Sequence, residues 1–210
     1  MNRNTSHNMR ANPLFMRNQF EQCGQWGLPK VKKQVPDLTD VRLIAYSDTR
    51  PDDSERNRQC GVHFFIDDYR MEGNYRNPQK SLQKLSQYAF LLTPDYSLYA
   101  DMPPWRQLEN VAHSRWCGAY WQNRGLLVIP TVSWSTPSSF GYCFDGIEYG
   151  SVVAVGMIGC KGNKLGFMRG YNAMMGKICP EVVICFGVPF PEMQGNIISV
   201  DYMLSRKVVR

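Results

Sequence analysis

Long apolar runs are missing from this 210-residue sequence. The longest, around Ser151 to Gly159, falls far short of the roughly 20 residues a helix needs to cross a bilayer, which excludes a helical membrane-spanning protein. The first residues, Met1-Asn-Arg-Asn-Thr-Ser-His7, contain no apolar h-region and no small-residue cleavage site, so no secretory leader is expected. Histidine is scarce, at three residues, which leaves a Ser-His-Asp triad little material, and no Gly-x-Ser-x-Gly elbow occurs. There is no Walker loop, and Gly156-x-x-Gly159-x-x-Gly162 departs from the dinucleotide fingerprint. The seven cysteines are odd in number and scattered, with no trio spaced for an iron–sulfur centre. Cys117, Cys143, Cys160 and Cys185 fall in core-like segments, as thiols used as small hydrophobes do in a reducing compartment, so a cytoplasmic protein is expected. Neither internal repeats nor low-complexity stretches occur.

What remains is the composition of a folded globule, 43% hydrophobic and 20% charged, which excludes a disordered or fibrous chain. A single domain of this length buries roughly 70% of its unfolded surface and needs no disulfide or metal staple. The net charge of +6 is unevenly spread. Residues 1–36 carry Arg3, Arg10, Arg17, Lys30, Lys32 and Lys33 against Glu21, a balance of +5. Residues 151–210 balance at +4 and the middle at −3. Basic ends around an acidic centre fit either nucleic-acid contact outside a carboxylate-lined pocket or solvated, solubilising tails. Residues 1–26, rich in Asn, Gln, Met and Arg, are expected to form a loosely ordered basic extension before a single α/β domain over 27–210.

From Val41 on, short apolar runs alternate with helix-like stretches. The runs are Val41–Tyr46, Val62–Ile66, Tyr88–Thr93, Leu126–Val132, Ser151–Gly156 and Glu181–Phe186. Most are continuous, as in strands covered on both faces. Leu28–Val31 and Ile197–Val200 are weaker candidates. Asn77-Pro78 and Thr136-Pro137 read as helix starts, and Asp101 precedes a longer helix with its stripe at Trp105, Leu108, Ala112, Trp116 and Ala119, closed by Gly125. Phe167, Tyr171, Met174 and Ile178 mark a last helix before Pro180. This order predicts a mainly parallel sheet with helical crossovers: an abbreviated or irregular TIM-like barrel, or alternatively an open doubly wound sheet.

In either architecture a ligand lies beyond the carboxyl ends of the strands. Residues there are Asp48 after the first run, Asp67, Asp68 and Tyr69 after the second, Asp95, Tyr96 and then Asp101 after the third, Ser133 and Trp134 after the fourth, and Lys161 after the fifth. Asp67 or Asp68 with Asp95 is the candidate catalytic pair, a nucleophile or base with its partner. If the strand ran on through Asp67 and Asp68, only one would face the pocket. Tyr69, Tyr96 and Trp134 offer surfaces for a sugar or base, and Asp48, Asp101, Ser133 and Lys161 complete a candidate binding rim. Magnesium on Asp67 or Asp68 with Asp95 is the cofactor this spacing allows. Cys60-x-x-His63 and His113-x-x-x-Cys117 lack the double-cysteine knuckle of a zinc site, which argues against zinc. His63, alone in a strand, reads as a satisfied core histidine.

Several of these segments occur as longer phrases: Gly61-Val-His-Phe-Phe-Ile-Asp-Asp-Tyr69, Thr93-Pro-Asp-Tyr-Ser-Leu-Tyr-Ala-Asp-Met-Pro103, Gly118-Ala-Tyr-Trp-Gln122, Ile129-Pro-Thr-Val-Ser-Trp-Ser135, and Cys143-Phe-Asp-Gly-Ile147 followed by Gly150-Ser-Val-Val-Ala-Val155. They resemble domain of unknown function 4417, a family of bacterial, phage and mobile-element proteins, over about residues 25–187. The resemblance implies a single-domain unit and a mobile-element setting, in the host cytoplasm if phage-encoded, and carries no activity with it. Two functions are therefore expected as alternatives. One is a carboxylate-dependent enzyme of glycosyl transfer or hydrolysis acting on a nucleotide, nucleobase or sugar-containing substrate. The other is a non-catalytic accessory protein binding nucleic acid, through its basic ends, or a host factor.

Overall fold

The apolar runs form strands with both faces covered. The computed structural model describes residues 5–203. Its strands are β1 (Gln22–Cys23), β2 (Leu28–Pro29), β3 (Leu43–Ala45), β4 (Gly61–His63), β5 (Phe90–Leu92), β6 (Val128–Ile129), β7 (Val152–Gly156), β8 (Val182–Phe186) and β9 (Ile197–Val200). The helices are α1 (Thr5–Ala11), α2 (Pro13–Met16), α3 (Glu55–Arg58), α4 (Asp68–Arg76), α5 (Pro78–Leu85), α6 (Pro104–Asn123) and α7 (Lys164–Ile178). All six main runs contain a strand. Of the two weaker candidates, Ile197–Val200 pairs parallel with β8, whereas Leu28–Pro29 pairs antiparallel with β1 and stays out of the parallel sheets. Thr136-Pro137 opens only a 3₁₀ turn over Pro137–Gly141.

The architecture is mixed α/β with parallel sheets, β3-β4-β5-β6 and β7-β8-β9, each in chain order without reversal. A parallel bridge between Thr131 and Ala154 links them, with Val132 N donating to Ala154 O at 2.8 Å and Ala154 N to Pro130 O at 2.9 Å. Neither sheet closes on itself among the described residues, so the expected TIM-like barrel is not shown.

Side chains alternate between two buried layers, as the two-residue period of a strand requires. Leu43, Phe90, Leu92, Ile129, Val152, Ala154, Ile184, Phe186 and Val200 meet in one cluster that draws on both sheets. Their neighbours face the helices. Ile44, Val62, Leu91 and Val128 pack with Met71, Leu85, Trp116 and Trp121, while Val153, Val155, Val183 and Cys185 pack with Phe167, Tyr171, Met174 and Ile178. Each of these fully buried aliphatic side chains contributes about 1.5–3 kcal/mol.

Within the stretch expected to be loosely ordered, residues from Arg17 on are anchored to the domain. The Arg17 guanidinium lies 3.9 Å from the Trp116 ring centroid and 4.2 Å from that of Tyr75, Gln19 accepts from Trp116 Nε1, and Phe20 packs on the same indole. Arg3, Arg206, Lys207 and Arg210, part of the basic ends, lie outside the described residues.

Candidate functional site

The strand ends surround a cleft of about 1070 Å³. Its lining includes Asp48, Asp67, Asp68, Tyr69, Asp95, Tyr96, Ser133 and Trp134 from the sequence-derived rim, together with Ser47, His63, Phe65, Arg70, Ser97, Tyr99 and Gly156. Asp101 and Lys161 are not part of it: both are exposed, Asp101 in the turn before α6 and Lys161 in the 3₁₀ turn before α7.

Two threonines set the geometry of the deepest carboxylate. Thr93 Oγ1 accepts from Thr131 N at 2.9 Å, and Thr131 Oγ1 donates to Thr93 O at 2.7 Å. Two residues beyond this pair lie Asp95 and Ser133, which the lock brings side by side. Ser133 Oγ donates to Asp95 Oδ1. Arg115 of α6, 2% exposed, secures the second chain by donating to the carbonyls of Thr131, Cys143 and Asp145 at 3.1, 2.7 and 3.0 Å. Burial raises the Asp95 carboxyl to about 6; the Ser133 hydrogen bond opposes this and the Asp68 charge adds to it. Beside Asp95 a small hollow of about 10 Å³, bordered by Val111, Ser114, Arg115 and Thr131, is at the lower limit of room for one water.

Asp68 arrives from the neighbouring strand end. The strand stops at His63, so Asp67 and Asp68 do not alternate across a sheet; they begin α4, and both line the cleft. Asp68 accepts from Ser97 N with both oxygens at 3.2 Å and from Ser97 Oγ at 3.0 Å. Ser97 is in turn held by α6, through Asn110 Nδ2 to its carbonyl at 2.7 Å, and Gln107 Nε2 bonds Tyr99 O and Met102 O. The Asp67 carboxylate instead faces Arg70 Nε at 3.5 Å, and Arg70 also donates to the Tyr69 hydroxyl.

The aromatic side chains divide. Tyr69 and Tyr99 are 74% and 63% exposed, leaving their rings open to the cleft. Trp134 is half-buried against Phe167, with its pyrrole edge over Gly170 of α7, where a Cβ would lie 2.1 Å from the ring. Tyr96 also borders the cleft, but its ring is 4% exposed and meets His113 edge-on within the cluster beneath α6.

His63 is buried as a core histidine is, but it is not satisfied. Nδ1 accepts from Phe65 N at 3.3 Å, while Nε2 is buried without a hydrogen-bond partner among the described residues. The sequence reading assigned no site role to Ser47, Phe65, Arg70, Ser97, Tyr99 or Gly156. Position after a strand end was the only available signal, and it does not rank side chains.

No group of three His, Cys, Asp or Glu side chains able to hold a metal occurs among the described residues. The two Cys/His pairs lie in the core, with His113 stacked on Tyr75 at 3.6 Å and Cys117 fully buried. Much of the described basic excess is used internally: Lys30 with Glu21 and Glu148, Lys33 with Glu181, Lys164 with Glu192, and Lys177 with Asp145. No helix among the described residues is long and apolar enough to cross a membrane.

A family model described as domain of unknown function (DUF4417) matches residues 20–203. The chain is 37% identical over 177 residues to the Gene 1 protein of Mycobacterium phage L5, covering 83% of this chain and 76% of that protein. It is 36% identical over 162 residues to the Gene 1 protein of Mycobacterium phage D29, covering 73% of this chain and 60% of that protein. No solved structure matches the chain.

Proposed function

The chain belongs to the DUF4417 family, and from that footing we propose that it is a carboxylate-dependent enzyme of glycosyl transfer or hydrolysis, acting on a nucleotide, nucleobase or sugar-containing substrate. The observation that carries this reading is Asp95, a carboxyl raised to about 6 inside an open cleft that also holds Asp68. A group with that value exchanges its proton near neutral pH and suits a general acid–base. Asp68, oriented by three contacts from Ser97, is the second carboxylate, facing positive charge that develops at an anomeric carbon. Tyr69, Tyr99 and Trp134 supply faces for a sugar or base.

The architecture favours the same reading. We take the two parallel sheets as one curled array, an abbreviated barrel left open between β9 and β3. The Thr131–Ala154 bridge and the inner cluster shared by both sheets support it. Barrels of that type carry their chemistry at the carboxyl ends of the strands, where this cleft lies.

The test is turnover of a panel of nucleosides, nucleotides and glycosides by the full chain, followed by chromatography and mass spectrometry. Asp95→Asn and Asp68→Asn are expected to stay folded and lose about 10²–10⁴-fold in rate. The wild-type rate should show an inflection near pH 6. Absence of turnover across the panel, or turnover unchanged in both variants, overturns the proposal.

A further inference from the structure

Below its carboxylates the cleft changes character. Its floor comprises Ala45, His63, Phe65 and Gly156 from the ends of β3, β4 and β7. Phe65 lies parallel to Phe186, with ring centroids 4.8 Å apart and 8° between planes. Gly156 permits this, since a Cβ there would stand 2.8 Å from the Phe65 ring. The floor is thus apolar apart from one group, the His63 imidazole.

That imidazole has a fixed tautomer. Because Nδ1 accepts the Phe65 amide hydrogen, the proton of the neutral ring sits on Nε2. The Phe186 ring, 4.4 Å away, holds the plane. His63 is 3% exposed, and burial lowers its pKa to about 3, so it remains an uncharged donor across the working pH range. Its Nε2–H has no acceptor among the described residues, and the space His63 borders is the cleft. Buried donors are almost always paired, and of the nine buried side-chain polar atoms without a hydrogen-bond partner among the described residues this one belongs to the apolar floor of the cleft, where a ligand can supply the acceptor.

Above this floor, Asp48, Asp67, Asp68 and Asp95 line the cleft, and the one guanidinium lining it among the described residues, that of Arg70, already faces Asp67. Such a ring of carboxylates repels an anion.

We infer that the cleft floor recognises a flat, uncharged heterocycle of nucleobase type, with His63 Nε2–H donating to a ring carbonyl oxygen or ring nitrogen, and that the cleft prefers nucleosides to nucleotides. The inference rests on this cleft being the substrate site proposed above, though not on the reaction assigned to it. The carboxylates above the floor then accept from ribose hydroxyls or exocyclic amines.

The experiment is NMR on the full chain labelled with ¹⁵N-histidine, titrated with uridine, cytidine, adenosine and guanosine and with their 5′-monophosphates, with and without magnesium. His63 should show the Nε2–H tautomer, and at least one nucleoside should shift its Nε2 resonance. The corresponding monophosphate should bind at least tenfold more weakly. His63→Phe should lose tenfold or more in nucleoside affinity, and His63→Gln, which restores an N–H donor, should recover part of it. If His63→Phe does not fold, the wild-type tautomer and titration decide the question alone. An Nδ1–H tautomer, a resonance unmoved by all four nucleosides, or equal or tighter binding of the monophosphate overturns the inference. Nucleoside binding that moves His63 without any turnover would remove the enzymatic reading and leave this one. Turnover with the His63 resonance unmoved would do the reverse.

Discussion

Replacing Asp95 with asparagine should stabilise this protein at neutral pH, by an amount that the Asp95 environment sets. The carboxyl is raised from 3.8 to about 6, chiefly by burial, against the Ser133 hydrogen bond and with help from the Asp68 charge. At about 1.4 kcal/mol per pH unit, holding that carboxylate ionised costs the fold roughly 3 kcal/mol. The sign follows from proton binding. A carboxyl whose folded value is raised contributes stability that is fully present below the unfolded value and is lost as pH rises through the folded one. Wild type should therefore lose about 3 kcal/mol relative to Asp95→Asn between roughly pH 4 and pH 7, a difference of about 6–12 °C in Tm for a chain of this size. The asparagine keeps an oxygen to accept from Ser133 and introduces no cavity, so the two proteins should be nearly equal near pH 4. Urea denaturation at half-unit intervals from pH 4 to 8 reads the difference directly. A gap that stays constant with pH, or a variant less stable than wild type at pH 7, would refute the account of Asp95 as a buried, strained carboxylate. Its use as an acid–base group would then lose its physical basis.

Three further outcomes follow from other parts of the fold. Gly170→Ala should push the Trp134 indole from α7 towards the cleft, since its Cβ would lie 2.1 Å from the ring; a shift in tryptophan emission absent from a Trp134→Phe background, with a cost of about 1–3 kcal/mol, checks it. Arg115→Met should strand the carbonyls of Thr131, Cys143 and Asp145 and cost about 3 kcal/mol or more in urea unfolding, while loosening the loop that carries Ser133. Asp53 is 7% exposed; burial raises its pKa, but hydrogen bonds from Tyr88, Asn57, Ser54 and Arg50 outweigh that and hold it below 3.8. Its contribution is therefore present above pH 3.8 and lost as pH falls through the folded value. Tyr88→Phe, which removes one of those donors, should cost about 1.5–3 kcal/mol at pH 7 and visibly less at pH 2–3, measured by the same urea curves.

The strands and most of the candidate rim were legible in the sequence because both depend on local signals. Continuous apolar runs such as Ser151–Gly156 and Glu181–Phe186 have the composition of strands buried on both faces, and β7 and β8 follow. Polar residues immediately after such runs lie at the carboxyl end of a parallel sheet, which is why Asp48, Asp67, Asp68, Asp95 and Ser133 share one cleft. Asp101 and Lys161 failed the same rule because each stands several residues beyond its strand, where a turn had already carried the chain out to solvent. Thr136-Pro137 failed as a helix start because a preset first φ does not supply the following apolar face, and the chain settles for a 3₁₀ turn.

The sequence by itself determined which segments are strands and which end of them carries polar chemistry, since strand propensity and chain direction are properties of the chain. Only the tertiary structure decided what each polar group is. Asp95 and Asp68 are one residue type, yet one is buried beside Ser133 and the other accepts three hydrogen bonds from Ser97. Tyr96 and Tyr69 follow adjacent strands, yet one ring lies in the core and the other in solvent. His63 looked like a core residue and is one, but whether its second nitrogen finds an acceptor depends on Phe65 and Phe186, and Phe186 lies more than a hundred residues away in the chain. Desolvation, neighbouring charge and hydrogen-bond satisfaction arise from atoms distant in sequence and close in space, and no local pattern encodes them.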